Sequence, residues 1–276
     1  MKRSIPIILI LFMLAGAVYL LRNTTCPFYQ AAVKVEKAQA KMDVGASEEK
    51  ILRLLKKRKD ELAMIEAKRL LASDPDNLTA MWARAEVLRR DYDYTESEEL
   101  LDQILSKHPA HAPSLISLSY IRYHDGRFKE ALLILERVLK LADLKREDKA
   151  MAYMLMGTIN AKKSSTGNLL DKILYGTRIK GYFTKARSIA PELPEVHLGL
   201  GAFYLLAPGI SGGSLDKAIE ELKIAVELTP NFATPYARLA QAYKRKGDLD
   251  KFDYYISRVK ELNPENETLK EILAEQ

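Results

Sequence analysis

Cysteine is nearly absent from this chain of 276 residues. Cys26 stands alone, which excludes a disulfide framework, a multi-cysteine zinc site and an iron–sulfur cluster. Glycine (13) and proline (11) are scarce, which argues against collagen-like, low-complexity and turn-rich all-β chains. Excess charge of one sign is small as well. Of the net +6, Lys2, Arg3 and Arg22 supply half, so the rest of the chain lacks the electrostatic footprint of a phosphate-backbone binder and no nucleic-acid partner is expected. The four histidines, His108, His111, His124 and His197, form no HExxH and have no carboxylate pair at ligand spacing. His108 and His111 flank Pro109 and read as a solvated turn rather than a metal pair.

Catalytic signatures fail in the same way. Gly209-Ile210-Ser211-Gly212-Gly213 has the spacing of a nucleophile elbow, but no histidine follows His197 to complete the triad order. No Gly-Lys-Ser/Thr follows those glycines, and Gly199-Leu200-Gly201 lacks the third glycine of a dinucleotide fingerprint. No catalytic residue, cofactor or metal is expected, and the chain reads as a non-enzyme.

What is present begins with an apolar run. Ile5 to Leu21 carries no charge and follows Met1-Lys2-Arg3. Its length lies near the lower limit for a spanning helix, about 17–25 residues. Two readings stand: a signal peptide cut near Ala15-Gly16-Ala17, or an uncleaved signal anchor over 1–22. The run continues through Val18-Tyr19-Leu20-Leu21, which favours the anchor. The leading basic residues favour a translocated bulk. Asn23-Thr24-Thr25 before Cys26 does not resemble a lipobox. Three Asn-x-Thr triplets, at Asn23, Asn77 and Asn266, match the glycosylation pattern. Residues 23–43 read as a polar linker helix. The basic run Lys50, Arg53, Lys56, Lys57, Arg58 and Lys59 is flanked by Glu48, Glu49, Asp60 and Glu61. It reads as a solvated helix face and turn, with contact to anionic lipid as the other reading.

The rest of the chain is periodic. Pro75 and Pro109 lie 34 residues apart, as do Ser97 and Ala131, Ala218 and Phe252, and Pro230 and Pro264. Apolar residues spaced by three and four build one stripe per helix. Asp125-Gly126 and Lys246-Gly247-Asp248 stop one helix and start the next. Small residues at Ala85, Gly157, Gly201 and Ala240 permit close helix approach. Aligning the prolines gives six units near 44–77, 78–111, 112–147, 148–193, 194–232 and 233–266, with 267–276 as a capping helix. The period is broken at 160–175 and at 205–214, and insertions in repeat proteins map to loops.

These blocks, in particular LISLSYIRYHDGRFKEALLILERVLKLAD and YARLAQAYKRKGDLDKFDYYISRVKELNP, resemble the tetratricopeptide-repeat (TPR) family. The resemblance implies an all-α fold, a right-handed superhelix of antiparallel helix pairs. It also implies that repeat positions 2, 5, 9, 12 and 13 face the concave side. Partner-binding residues would then include Trp82, Glu86, Arg89, Tyr120, Tyr123, His124, Met154, Lys162, Gln241 and Lys244. The Lys and Asn of a carboxylate clamp are missing, since Trp82 and Glu86, then Ile116 and Tyr120, hold those places. The stretch APGISGGSLDKA is similar to extracytoplasmic TPR proteins that accompany TRAP-type solute transporters. The expected function is a membrane-anchored, non-catalytic TPR scaffold that binds a protein or peptide outside the cytoplasm, at a bacterial inner membrane on its periplasmic side. The alternative is a ligand-handling accessory of a solute transporter.

Overall fold

A computed structural model describes residues 27–167 and 169–274. The expected signal anchor, Asn23 and Cys26 lie outside the described residues. Among the described residues every regular element is helical, and none is long and apolar enough to cross a membrane. The chain divides into two units between Glu49 and Lys50, and the second carries the repeats.

The helices come in pairs. α1 (Pro27–Lys56) and α2 (Asp60–Ser73) make the first, α3 (Leu78–Arg90) and α4 (Tyr94–Lys107) the second, α5 (Ala112–His124) and α6 (Phe128–Val138) the third. The fourth joins α7 (Arg146–Thr166) to α8 (Leu169–Ile189), the fifth α9 (Pro194–Leu206) to α10 (Leu215–Leu228), and the sixth α11 (Ala233–Lys246) to α12 (Leu249–Leu262). α13 (Glu267–Ala274) closes the series. From α2 to α12 each helix packs on the next in sequence, so the fold is an α-solenoid.

Local chemistry sets the boundaries. Asn77, Asp93, Ser214 and Asp248 cap α3, α4, α10 and α12, each side chain accepting the N–H three residues on. Pro113 and Pro194 open α5 and α9, where a missing N–H costs nothing. Ser97 and Ala131 lie where helix B crosses helix A. Both are fully buried, and Ser97 donates its hydroxyl to the Ala85 carbonyl at 2.7 Å.

Two sequence expectations are corrected, and two further features are specified. The linker and the first repeat helix are one helix, α1, because only Gly45 interrupts good helix formers there, at a cost of about 1 kcal/mol. The 160–175 irregularity is no loop. It extends both α7 and α8 to 21 residues, since no glycine or proline stands between Gly157 and Gly167 to stop the ladder. The 205–214 irregularity is a tight 3₁₀ turn at Gly209–Ser211. Finally, Asn77 and Asn266 are not free acceptors for a glycan. Both are buried (6% and 3% exposed). Asn77 caps α3, while Asn266 caps α13 and donates to Thr234 Oγ1 at 3.1 Å.

In four of the pairs the turn between the two helices places a left-handed residue at one repeat position. Gly126 (φ 73°) and Gly247 (φ 78°) serve in the third and sixth pairs. In the first two pairs the same place, 34 residues apart, is held by Arg58 (φ 53°) and Tyr92 (φ 65°), the non-glycine residues with positive φ among those described.

Candidate functional site: a central lumen

The inward helix faces surround a cavity of about 2420 Å³, open to solvent in part and lined by residues from Leu52 to Glu271. Nine of the ten residues expected on the concave side line it: Trp82, Glu86, Arg89, Tyr120, Tyr123, His124, Met154, Lys162 and Gln241. Lys244 does not. It stands in the last turn of α11, and its ammonium lies 5.7 Å from the Phe252 ring centroid, toward its own partner helix α12.

A polar cluster anchors one wall. Glu86 accepts from Arg89 (2.6 and 2.9 Å), from Arg90 Nε (2.8 Å) and from Ser117 Oγ (2.8 Å). Arg90 also bonds Asp60 (2.6 Å) and the Leu55 carbonyl, and Trp82 Nε1 donates to Ser117 Oγ at 3.2 Å. Residues three and four apart on α3 meet on one face, so this face ties the first three pairs together. Burial opposes ionisation of Glu86, but Arg89 and Arg90 outweigh it and hold the carboxyl well below its usual range. Burial likewise opposes the Arg89 charge, and Glu86 raises its pKa above the ordinary arginine value.

A stacked column continues from that cluster. The Arg89 guanidinium lies 4.1 Å from the Tyr120 ring centroid. Tyr120 is 4.8 Å from His124, and His124 is 4.9 Å from Tyr94, with interplanar angles of 34° and 32°. Burial, helped by Arg89 and Lys162, lowers the His124 pKa to about 4, so the imidazole is neutral at pH 7. Its Nε2 and the Tyr94 hydroxyl are buried without a hydrogen-bond partner. Burial raises the Tyr123 phenol to about 12. Across the lumen, Gln241 accepts from Arg238 at 2.9 Å, and Thr158 donates to the Met154 carbonyl.

Sequence reasoning missed the residues that bridge the lumen. In the basic run 50–59, Arg58 is no solvated cation. Its guanidinium bonds Glu195 at 2.6 Å and lies 4.0 Å from the Phe232 ring centroid. Burial first, then Arg90, pulls its pKa below the ordinary arginine value. Asn231 donates to the Lys57 carbonyl at 3.0 Å. The Glu267 N–H, at the free start of α13, donates to Tyr92 Oη at 3.3 Å, and the Glu267 carboxylate lies 3.8 Å from His124 Nδ1. The one usable signal was the 34-residue register itself, which sets Arg58 and Tyr92 where Gly126 stands in the third pair.

The remaining motifs are structural. His111 Nδ1 lies 2.7 Å from Ser114 Oγ, and burial lowers its pKa to about 4. Among the described residues no cluster could hold a metal ion. The Ser211 turn lies between two helices, and no strand precedes it as an elbow requires. Its Gly213 lies so close to Ala207 that an added Cβ would fall 1.9 Å from that carbonyl oxygen.

Comparison with known proteins agrees with the repeat reading. Family models of the tetratricopeptide repeat match residues 66–112, 93–145 and 210–247. No curated protein matches the chain. Among solved structures it is similar to PilW, a widely conserved type IV pilus biogenesis factor, at 18% identity over 83% of this chain and 98% of that one, with a TM-score of 0.50. The human IFIT1 dimer with m7Gppp-AAAA is similar at 18% identity over 88% of this chain and 57% of that one, with a TM-score of 0.59. The Cut9–Hcn1 assembly of the APC/C is similar at 14% identity over 79% and 40%, with a TM-score of 0.57. At such identities these likenesses speak for the fold. They do not show the transporter-associated resemblance read at residues 207–218. With repeat models matching residues 66–145 and 210–247 of a solenoid built from stacked helix pairs, those parts of the chain carry tetratricopeptide repeats.

Proposed function

We propose that the chain is a membrane-anchored, non-catalytic TPR scaffold that holds an extended segment of another protein in its lumen. The observation that carries this reading is the size and lining of the cavity. At about 2420 Å³ it exceeds the roughly 300–1,000 Å³ typical of small-molecule pockets, which weighs against the transporter-accessory alternative. Trp82, Tyr120, Tyr123 and Arg89 on its wall are the residue types that most often anchor protein interfaces. Anchoring rests on the uncharged run Ile5–Leu21, and placement of the repeats on the periplasmic side of a bacterial inner membrane rests on Lys2 and Arg3 before it.

Two experiments test the reading. A pull-down from membranes recovers a protein partner with the wild type and loses it with Trp82→Ala and Tyr120→Ala. Unchanged recovery, together with a co-purifying small molecule, would favour the accessory role instead. A topology reporter fused after Gln276 gives extracytoplasmic activity, and cytoplasmic activity there would refute the placement.

A further inference from the structure

Two turns of the solenoid spend a strained backbone on a long side chain. The left-handed position between paired helices suits glycine, and Gly126 and Gly247 occupy it in the third and sixth pairs. Arg58 and Tyr92 occupy it instead in the first two pairs, and both reach across the lumen. Arg58 meets Glu195 and Phe232, whose residues lie in and beside the fifth pair, 137 residues on in the first case. Tyr92 meets the start of α13, 175 residues on. Asn231, next to Phe232, adds a bond to the carbonyl beside Arg58. Strained non-glycine residues persist where the surroundings hold them, and they concentrate at clamps and switches.

From this pairing of strain with reach we infer that Arg58 and Tyr92 are a clasp that joins distant repeats across one side of the lumen, so that a partner segment enters from that side only when these contacts part. The inference rests on the reading that the lumen receives such a segment, and it names how access is controlled. Arg58, Tyr92, Glu195, Asn231, Phe232 and Glu267 all line the cavity. The contacts are polar and few: one ion pair, one guanidinium–ring contact and two hydrogen bonds. These are polar contacts made by single side chains, whereas the helix pairs themselves are joined by a buried apolar core. The clasp is therefore the part of the solenoid that opens without unstacking the repeats. His124 and Glu267, 3.8 Å apart, stand beside the Tyr92 contact, and a segment entering there would meet the unpartnered Tyr94 hydroxyl and His124 Nε2.

The test measures access directly. In the full chain, Cys26→Ser and Thr158→Cys leave one thiol on the lumen wall. Its reaction is followed with N-ethylmaleimide and with a maleimide carried on a long polyethylene glycol chain, a bulk that the bridged side holds back. Arg58→Gly and Tyr92→Gly remove the side chains while suiting the left-handed turns, so the repeats keep their fold, which circular dichroism checks. The double variant is expected to speed the bulky reagent about tenfold or more and to leave the small one nearly unchanged. Glu195→Gln should move the bulky rate the same way. Equal bulky-reagent rates in wild type and double variant would overturn the clasp. This readout needs no partner. An opened lumen that still captures no protein would instead count against the scaffold reading.

Discussion

Arg58 and Tyr92 lie 34 residues apart and share one backbone conformation, φ 53° and 65°, in equivalent turns of consecutive repeats. A β-carbon in that region costs roughly 1–2 kcal/mol. Arg58→Ala and Arg58→Gly both delete the contacts to Glu195 and Phe232, but only the alanine keeps the strain. The glycine variant should therefore be the more stable of the two by about 1 kcal/mol. Chemical denaturation decides it, and equal midpoints would mean that the turn does not hold its left-handed form.

Glu86 is the carboxylate on which the first three pairs converge. Glu86→Gln leaves Arg89 and Arg90 buried beside a neutral amide and should cost about 3 kcal/mol at pH 7. The folded-state pKa of Glu86 lies below its ordinary 4.5. Its contribution is thus complete above that value and is lost as pH falls through the depressed one. The gap between wild type and variant should close on acidification below about pH 4.5 and stay constant from pH 6 to 8. A gap that widens in acid would contradict the assignment.

His197 behaves in the opposite sense. Its Nδ1 lies 2.7 Å from Glu221 and its Nε2 2.7 Å from the Pro191 carbonyl. Burial lowers its pKa, but the bonds to Glu221 and Pro191 outweigh that and leave it above the ordinary 6.5. The stabilisation is complete below 6.5 and fades as pH rises through the folded-state value. Melting temperatures of wild type and His197→Gln should therefore converge between mildly acidic and alkaline pH. Parallel curves would show that the proton takes no part.

Phe183 is wedged between two helix glycines. A Cβ added at Gly199 would come within 2.6 Å of its ring, and one at Gly157 within 2.8 Å. The ring cannot retreat from one without meeting the other. Gly→Ala in a helix normally gains about 1 kcal/mol, but overpacking costs about 1–3 kcal/mol. Gly199→Ala should be destabilising on balance, and Phe183→Leu in the same chain should restore part of the loss. Stabilisation by the single variant would show that the ring has room to move.

Much of the fold was legible in the order of residues. Pro75, Pro109, Pro230 and Pro264 end their units because proline cannot continue a helix, and small residues such as Ala85 and Gly201 mark crossings because helix axes approach only where side chains are short. Those rules act over one repeat, so the period shows them. The inward positions follow from the same period, which is why Trp82, Glu86 and Tyr120 share a wall. Lys244 escapes the rule because its flexible stem turns toward the Phe252 ring. Asn77 and Asn266 carry the glycosylation triplet, yet each directly precedes a helix, where asparagine commonly caps.

The amino-acid order alone determined that helices form, where they stop, and that they must stack, since no single pair can bury its stripe. Tertiary structure decided that the solenoid returns on itself, that Arg58 is buried rather than solvated, and that Tyr92 touches α13. Local preferences repeat with the chain and leave a trace in it. Contacts between residues 137 and 175 positions apart depend on the small rotation accumulated over every stacked pair, and no single repeat encodes that sum.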